Sequence, residues 1–345
     1  MNKMAAEMIV VRLIQRLIFF SAAIFIAVML FGCTTTQKPV TPKEEQTPVE
    51  KKEEPVYVPL ELTEVNPLAL IGSDFSIYTF IPANKHKSLT IELLMEEIEN
   101  LAEVDAKLIA KRIDKLYFGL GTVEDRSSLE AAASGNIPTI GVKTTFTKKS
   151  GWLQTPYTAT SSEQALKLRY PNEFTYYSHD ECIYDLCFFT QQIFAIAQDL
   201  TPVMEKYALR PEPEDTMYNR WISQESDDIL FYITRPGQYL RSLIGASITS
   251  DTDYSYGSIT QVKDDIYSMT MDLHVTNESS IGMLKSMLEL SFGLMDVSLT
   301  QPSKDILRVS GVEVSQSQIV NLFTRDPITG KHYRVQDDIV IEEAM

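Results

Sequence analysis

Two short apolar runs, each ended by a proline, open two similar stretches of this chain. Residues 73–82 and 227–236 match at an offset of 154 positions, with Asp, Tyr and Pro in register. Both runs are rich in β-branched and aromatic residues, so both predict buried strands. The apolar spacing that follows predicts a helix over 89–113 in the first stretch and a shorter helix over 239–248 in the second.

Two predicted strands follow each of these helices. They cover 115–123 and 129–134 in the first stretch, and 256–262 and 266–275 in the second. In the last of them, Tyr, Met, Leu and Val alternate with Ser, Thr, Asp and His, which is typical of a strand with one packed and one solvated face. The pattern predicts an α+β fold, in which a mixed or antiparallel sheet packs against helices and contains two divergent β-α-β-β units.

The segments between and after these units give further expectations. An apolar stretch at 183–200 predicts a helix. The aromatic residues of 157–189 suit either a sheet core or an apolar cleft, and we favour the core. A Pro-Glu-Pro-Glu segment at 211–214 divides the body into a first half, 61–210, and a second half, 211–345.

The most unusual predicted helix spans 281–295, where only Lys285 and Glu289 are charged. Its apolar arc is wider than a surface helix needs, and such an arc is usually buried against other elements. Methionines adapt to varied partners, so the same arc also suits contact with a lipid or another apolar ligand. The candidate lipid- or ligand-facing residues are Ile281, Leu284, Met287, Leu288 and Met295.

The beginning of the chain carries an export signal. Lys3, Arg12 and Arg16 precede an uncharged apolar stretch at 17–31, which is closed by Leu-Phe-Gly-Cys ending at Cys33. This order resembles the lipobox of bacterial lipoproteins, which implies cleavage after the glycine and lipidation of the cysteine. The alternative is an uncleaved spanning helix of roughly 20 residues. Cleavage is favoured because the apolar region is short and polar residues follow it.

A polar segment separates the predicted signal peptide, 1–32, from the folded body. Residues 34–55 are rich in Pro, Glu, Lys and Thr and cannot build a core, so 33–60 is predicted to be a lipidated, disordered tether. Positive charge stays on the cytoplasmic side of a membrane, which places the body outside the cytoplasm. We expect a lipid-anchored protein at the periplasmic face of the envelope, with the outer membrane favoured over the inner.

Net charge limits the partners. The 345 residues carry a charge of −16, and loss of the signal peptide leaves about −18 because three basic residues and one acidic residue are removed. Such a surface repels phosphate backbones, so no nucleic-acid partner is expected. The predicted partner is therefore a membrane, which the protein contacts through the acyl chains on Cys33 or through apolar surface. A lipid or a protein is a further predicted partner.

Residues with catalytic or metal-binding chemistry form no recognisable motif. Cys182 and Cys187 stand five positions apart, so a disulfide between them needs a compact loop, and we favour two buried thiols. Asp251 and Asp253 begin like a calcium loop, but the required Gly and Glu are missing from their positions. No Cys/His spacing matches a metal site, and no cofactor is predicted.

The order of signal, tether and α/β body resembles that of spirochaetal envelope lipoproteins of unassigned function. Some of these are associated with the outer membrane and carry amphipathic helices that meet lipid, but no site residue transfers from them. Our first hypothesis is a non-catalytic, lipid-anchored envelope protein that binds an apolar ligand, a lipid or a protein partner. The alternative is an envelope enzyme, a hydrolase whose site assembles from distant residues. A charged residue with a perturbed pKa inside a cleft would favour the enzyme.

Overall fold

The structure, a computed structural model, describes residues 64–98, 101–123, 126–137, 151–160, 172–237, 252–293 and 296–325. All of them belong to the unit that runs from Leu62 to Met345. The predicted signal peptide, Cys33 and the predicted tether lie outside the described residues.

Twelve strands of the described residues form one sheet, and every neighbouring pair in it is antiparallel. The strands are β1 (Ile77–Ile81), β2 (Ile113–Val123), β3 (Arg126–Gly135), β4 (Leu153–Thr158), β5 (Glu173–His179), β6 (Cys182–Phe188), β7 (Ile193–Ala197), β8 (Ile229–Ile233), β9 (Thr252–Lys263), β10 (Ile266–Val275), β11 (Ser298–Ser303) and β12 (Ile306–Ser315). Their order is β11-β12-β10-β9-β8-β1-β2-β3-β7-β6-β5-β4. The predicted α+β class is confirmed.

Six α-helices among the described residues cover the two faces of the sheet. They are α1 (Lys87–Glu97), α2 (Glu103–Ala110), α3 (Thr201–Leu209), α4 (Met217–Ile222), α5 (Ile281–Phe292) and α6 (Gln316–Thr324). Helices α1, α2, α5 and α6 pack on one side, which we call face A. Helices α3 and α4 and the 3₁₀ helix Pro67–Leu70 pack on the other side, face B. The fold is thus a sheet between two helical layers.

Strands β1 and β8 pair at the centre of the sheet. Tyr78 lies opposite Tyr232, and every residue of both strands is buried. Strands of the two predicted halves therefore share one sheet, and the boundary at 211–214 stays a prediction. The strands expected in both β-α-β-β units are present, but the second helix, at 239–248, lies outside the described residues. The two-unit architecture is therefore not confirmed.

Two helix predictions differ from the structure. The stretch 183–200 forms strands β6 and β7 instead of a helix, and the prediction was wrong because a short apolar run fits a doubly buried strand equally well. Its aromatic and β-branched residues favour the strand. The predicted helix 89–113 is divided into α1 and α2, because Ile98 and Ala102 are extended between them.

Cys182 and Cys187 are buried and unbridged. Both belong to β6, and residues five positions apart on a strand point to opposite faces. Cys182 accordingly packs in the face A core and Cys187 in the face B core. Burial also raises the pKa of the Cys187 thiol to about 12, so this side chain remains protonated and unreactive.

Candidate functional site

Capping interactions set the ends of α5, the helix that contains the candidate residues. The Asn277 side chain accepts a hydrogen bond from the Ser279 amide at 3.1 Å and starts a 3₁₀ turn that leads into the helix. Gly293 ends the helix with a φ of +45°, a conformation that residues with a Cβ rarely adopt. The helix therefore has 12 residues and is shorter than the predicted 281–295.

The structure places the candidate residues of α5 on different sides of the helix. Ile281, Leu284 and Leu288 are at most 5% exposed and pack in the face A core, so here they contact the protein itself. Met287 is partly exposed, and Met295 lies outside the described residues. Contact of these residues with a lipid or ligand stays a prediction. The exposed apolar side chains of α5 are instead Met283 and Leu290.

Other helices on face A also expose apolar side chains. Val104 and Leu108 project from α2, and Met95 projects from α1. Together with Met283 and Leu290 they make up five of the nine large apolar side chains that are exposed in the described residues. Leu290 is 83% exposed and Val104 is 69% exposed, so neither takes part in the core. The outer surface of the face A layer therefore combines apolar and polar side chains.

An apolar cleft lies beneath the same layer, between α1, α6 and strands β2, β3 and β7. Phe118, Phe194 and Phe323 line it together with aliphatic side chains, and Glu97 stands among them. Its volume is about 50 Å³, whereas sites for small molecules usually enclose roughly 300–1,000 Å³. The cleft as it stands is too small for an acyl chain. The outer surface of the face A layer is therefore the better candidate for contact with lipid.

Face B presents a row of rings across four strands and α4. The Tyr232 ring stacks on Tyr254, with centroids 5.6 Å apart, and Tyr254 stacks on His274 at 4.5 Å. At the other end, Tyr218 of α4 stacks on Tyr78 at 3.9 Å. His274 ends the row between two carboxylates, 3.2 Å from Asp253 and 3.1 Å from Asp305.

A bidentate ion pair lies beside this row. The Arg308 guanidinium on β12 donates to both carboxylate oxygens of Asp272 on β10, from Nε at 2.6 Å and from Nη2 at 2.7 Å. Asp272 is buried, whereas Arg308 remains half-exposed. The alternation in β10 predicts a solvated side here, but the pairing of β10 with β9 and β12 places partners beside its polar residues.

Carboxyl groups with raised pKa values also lie on face B. Burial raises the pKa of Glu130, which accepts a hydrogen bond from the Gly72 amide at 2.7 Å. Burial, with a smaller contribution from Asp199, raises the pKa of Asp185 to about 6. Neither of these two carboxyls lines the cleft on face A, where the buried Glu97 is the acidic residue of the lining.

Replacement of Asp185 by asparagine should stabilise the protein at neutral pH by about 1 kcal/mol, since the partly exposed carboxyl keeps some hydration. The folded state binds the Asp185 proton more tightly than the unfolded state. The wild type therefore loses this contribution as pH rises from about 4 to about 6, and the variant does not. Urea unfolding between pH 4 and 8 measures the difference, and parallel profiles for the two proteins would contradict the assignment.

Neither a metal centre nor a membrane-spanning helix is found among the described residues. No cluster of three or more His, Cys, Asp or Glu side chains suited to a metal occurs in the described parts of the chain. None of the described helices has both the length and the hydropathy of a transmembrane segment.

Comparison with known proteins gives matches at the level of family and of fold. A family model described as the outer membrane-associated lipoprotein TP0453 matches residues 63–320. Crystal form I of TP0453 superposes with a TM-score of 0.59 at 16% identity, covering 75% of this chain and 97% of that one. Crystal form III gives a TM-score of 0.54 at the same identity, covering 75% and 98%. No curated protein matches the sequence.

Proposed function

Because the chain belongs to the family of the outer membrane-associated lipoprotein TP0453, we propose that it is a non-catalytic envelope protein that binds lipid through its face A helices. The predicted lipoprotein class and outer-membrane association agree with this family. Lipidation of Cys33 is part of the proposal, with the residues up to 60 as the tether. The body then stays close to a bilayer, where weak apolar contacts suffice for binding.

The observation that supports lipid binding is the position of the exposed apolar side chains. Leu290 and Met283 on α5, Val104 and Leu108 on α2, and Met95 on α1 all belong to helices of one layer. Amphipathic helices that present such residues bind at the boundary between headgroups and acyl chains. Leu290 has no structural role that explains a leucine there, since it is 83% exposed.

Charge indicates which lipid surface suits this layer. The chain carries a net charge of −16, which disfavours an anionic membrane. On the two helices with the most exposed apolar residues, Lys107 pairs with Glu103 at 2.5 Å and Lys285 approaches Glu289 at 3.9 Å. Each of these lysines is thus accompanied by a carboxylate, so binding should depend on apolar contact with zwitterionic lipid.

Flotation with phosphatidylcholine vesicles tests the proposal on the body from Leu62 to Met345. The wild-type body should float with the vesicles, and Leu290→Asp should reduce the floated fraction at least about tenfold, because a charge is costly at the acyl boundary. The matched control is Met217→Asp on α4, an exposed apolar residue of the face B layer, which should float like the wild type.

A melting curve accompanies each variant. Both substituted positions are exposed, so all three proteins should unfold at similar temperatures. A wild-type body that stays at the bottom of the gradient would contradict lipid binding by the body. Equal flotation of Leu290→Asp and the wild type would contradict the assignment to α5.

A further inference from the structure

A polar groove opens on face B, where β1 ends and β2 begins. Its volume is about 480 Å³, within the usual range for small-molecule sites. One wall consists of the residues that follow β1 and begin β2, and the other is the loop from α4 to β8. The groove is on the opposite side of the sheet from the helices proposed to meet lipid, so the two surfaces are independent.

Two aromatic rings close the bottom of the groove. Phe80 and Tyr117 are direct partners across β1 and β2, and their ring centroids lie 5.0 Å apart. Both residues are nearly buried and belong to the face B core, which fixes them in position. The base of the groove is therefore rigid, and each ring exposes only a small fraction of its surface there.

The rim of the groove supplies both hydrogen-bond donors and hydrogen-bond acceptors. Asn84, Ser223 and Gln224 offer amides and a hydroxyl, each of which donates and accepts. Such groups match the hydroxyls of a polyol, which also donate and accept. Ser223 Oγ and Gln224 Nε2 each donate a long hydrogen bond of 3.5 Å to the Arg220 carbonyl. An apolar ligand would still remove water from the remaining hydrogen-bonding capacity of these groups, at a cost for each group.

The charges on the rim nearly cancel. Lys85 approaches Asp227 at 3.3 Å, so these two charges neutralise each other. Lys115 and Glu225 line the same groove, and among the described residues neither forms an ion pair. With Asp114, the lining holds two bases and three acids, which disfavours a phosphate or another anion.

We propose that this groove is a binding site for a neutral saccharide of one or two units. The Phe80 and Tyr117 rings form the floor, and Lys115 and Glu225 bind hydroxyl groups from the rim. Hydrogen bonds to charged side chains are the stronger ones, so these two residues contribute most to affinity.

Saturation-transfer difference NMR tests the site on the full-length protein in lauryldimethylamine oxide micelles, a detergent that contains no sugar. The probes are glucose, galactose, N-acetylglucosamine and chitobiose. At least one of them should receive saturation on its ring protons. Lys115→Ala and Glu225→Ala should each weaken its binding about tenfold, the effect of losing one hydrogen bond to a charged group.

The control variant is Lys263→Ala, which removes an exposed lysine at the end of β9, outside the groove. It should bind the sugar like the wild type, and so should Leu290→Asp if the two surfaces are independent. Lys115 and Glu225 are exposed, so their variants should keep the wild-type melting temperature. Absence of saturation transfer to all four sugars would overturn the proposal. Transfer that is equal in the wild type and both groove variants would overturn it as well.

Discussion

Replacement of Arg308 by leucine is expected to lower the free energy of unfolding by about 3 kcal/mol. The substitution leaves the Asp272 carboxylate buried between β9 and β12 without the guanidinium that binds both of its oxygens. Breaking a buried pair costs roughly 3–5 kcal/mol, and the half-exposed position of Arg308 favours the lower value. Urea unfolding followed by tryptophan fluorescence measures the change.

Two variants control this prediction. Arg220→Leu removes an exposed pair, in which Arg220 lies 2.9 Å from Asp215, and should cost less than about 1 kcal/mol. The double variant Asp272→Leu/Arg308→Leu removes both charges and should regain most of the loss, because no buried charge is left without a partner. Equal losses for Arg308→Leu and Arg220→Leu would mean that water screens the Asp272 pair.

Replacement of Leu288 by aspartate is expected to unfold the body. The Leu288 side chain of α5 is fully buried. An unpaired charge at this position costs several kcal/mol, out of a total stability of roughly 5–15 kcal/mol. Met283→Asp introduces the same charge on the exposed side of the helix and should leave the melting temperature within a few degrees of the wild type. Circular dichroism melting curves compare the three proteins.

The pair of substitutions also tests the orientation of α5. If Leu288→Asp melts like the wild type, the side of the helix with Leu284 and Leu288 does not pack on the sheet, and their predicted contact with lipid regains support. If Met283→Asp unfolds and Leu288→Asp does not, the helix is rotated relative to the structure.

Periodicity predicts the elements whose two sides differ in polarity. Strand β10 has the bounds that its alternation predicts, Ile266–Val275, because one side packs in the core and the other carries polar groups. The stretch that forms β6 and β7 has no such contrast, since β7 is buried on both faces. An apolar run of that kind contains too little information to separate a helix from two strands.

The orientation of α5 could not be predicted for a related reason. Leucines and methionines occur on both sides of the helix, so composition indicates an apolar helix but not which side packs on the sheet. Tertiary structure decides this, because α5 packs against β12 and its Leu284 and Leu288 side chains join the face A core.

The groove on face B also depends on tertiary structure. Phe80 and Tyr117 become partners only through the register of β1 with β2, and Glu225 reaches them from a loop more than a hundred residues away. No local motif contains these residues together. The apolar run of Leu116, Tyr117 and Phe118 predicts a strand but gives no indication of a site.

The pairing of β1 with β8 constrains how an exported chain can fold. Residues 77–81 emerge from the export channel well before 229–233, so β1 has β2 on one side and, for a time, no strand on the other. An apolar strand with an open edge readily adds strands from other chains. Contacts between distant segments also form slowly. The first half of the chain is therefore open to aggregation outside the cytoplasm until the second half arrives and β8 covers the edge of β1.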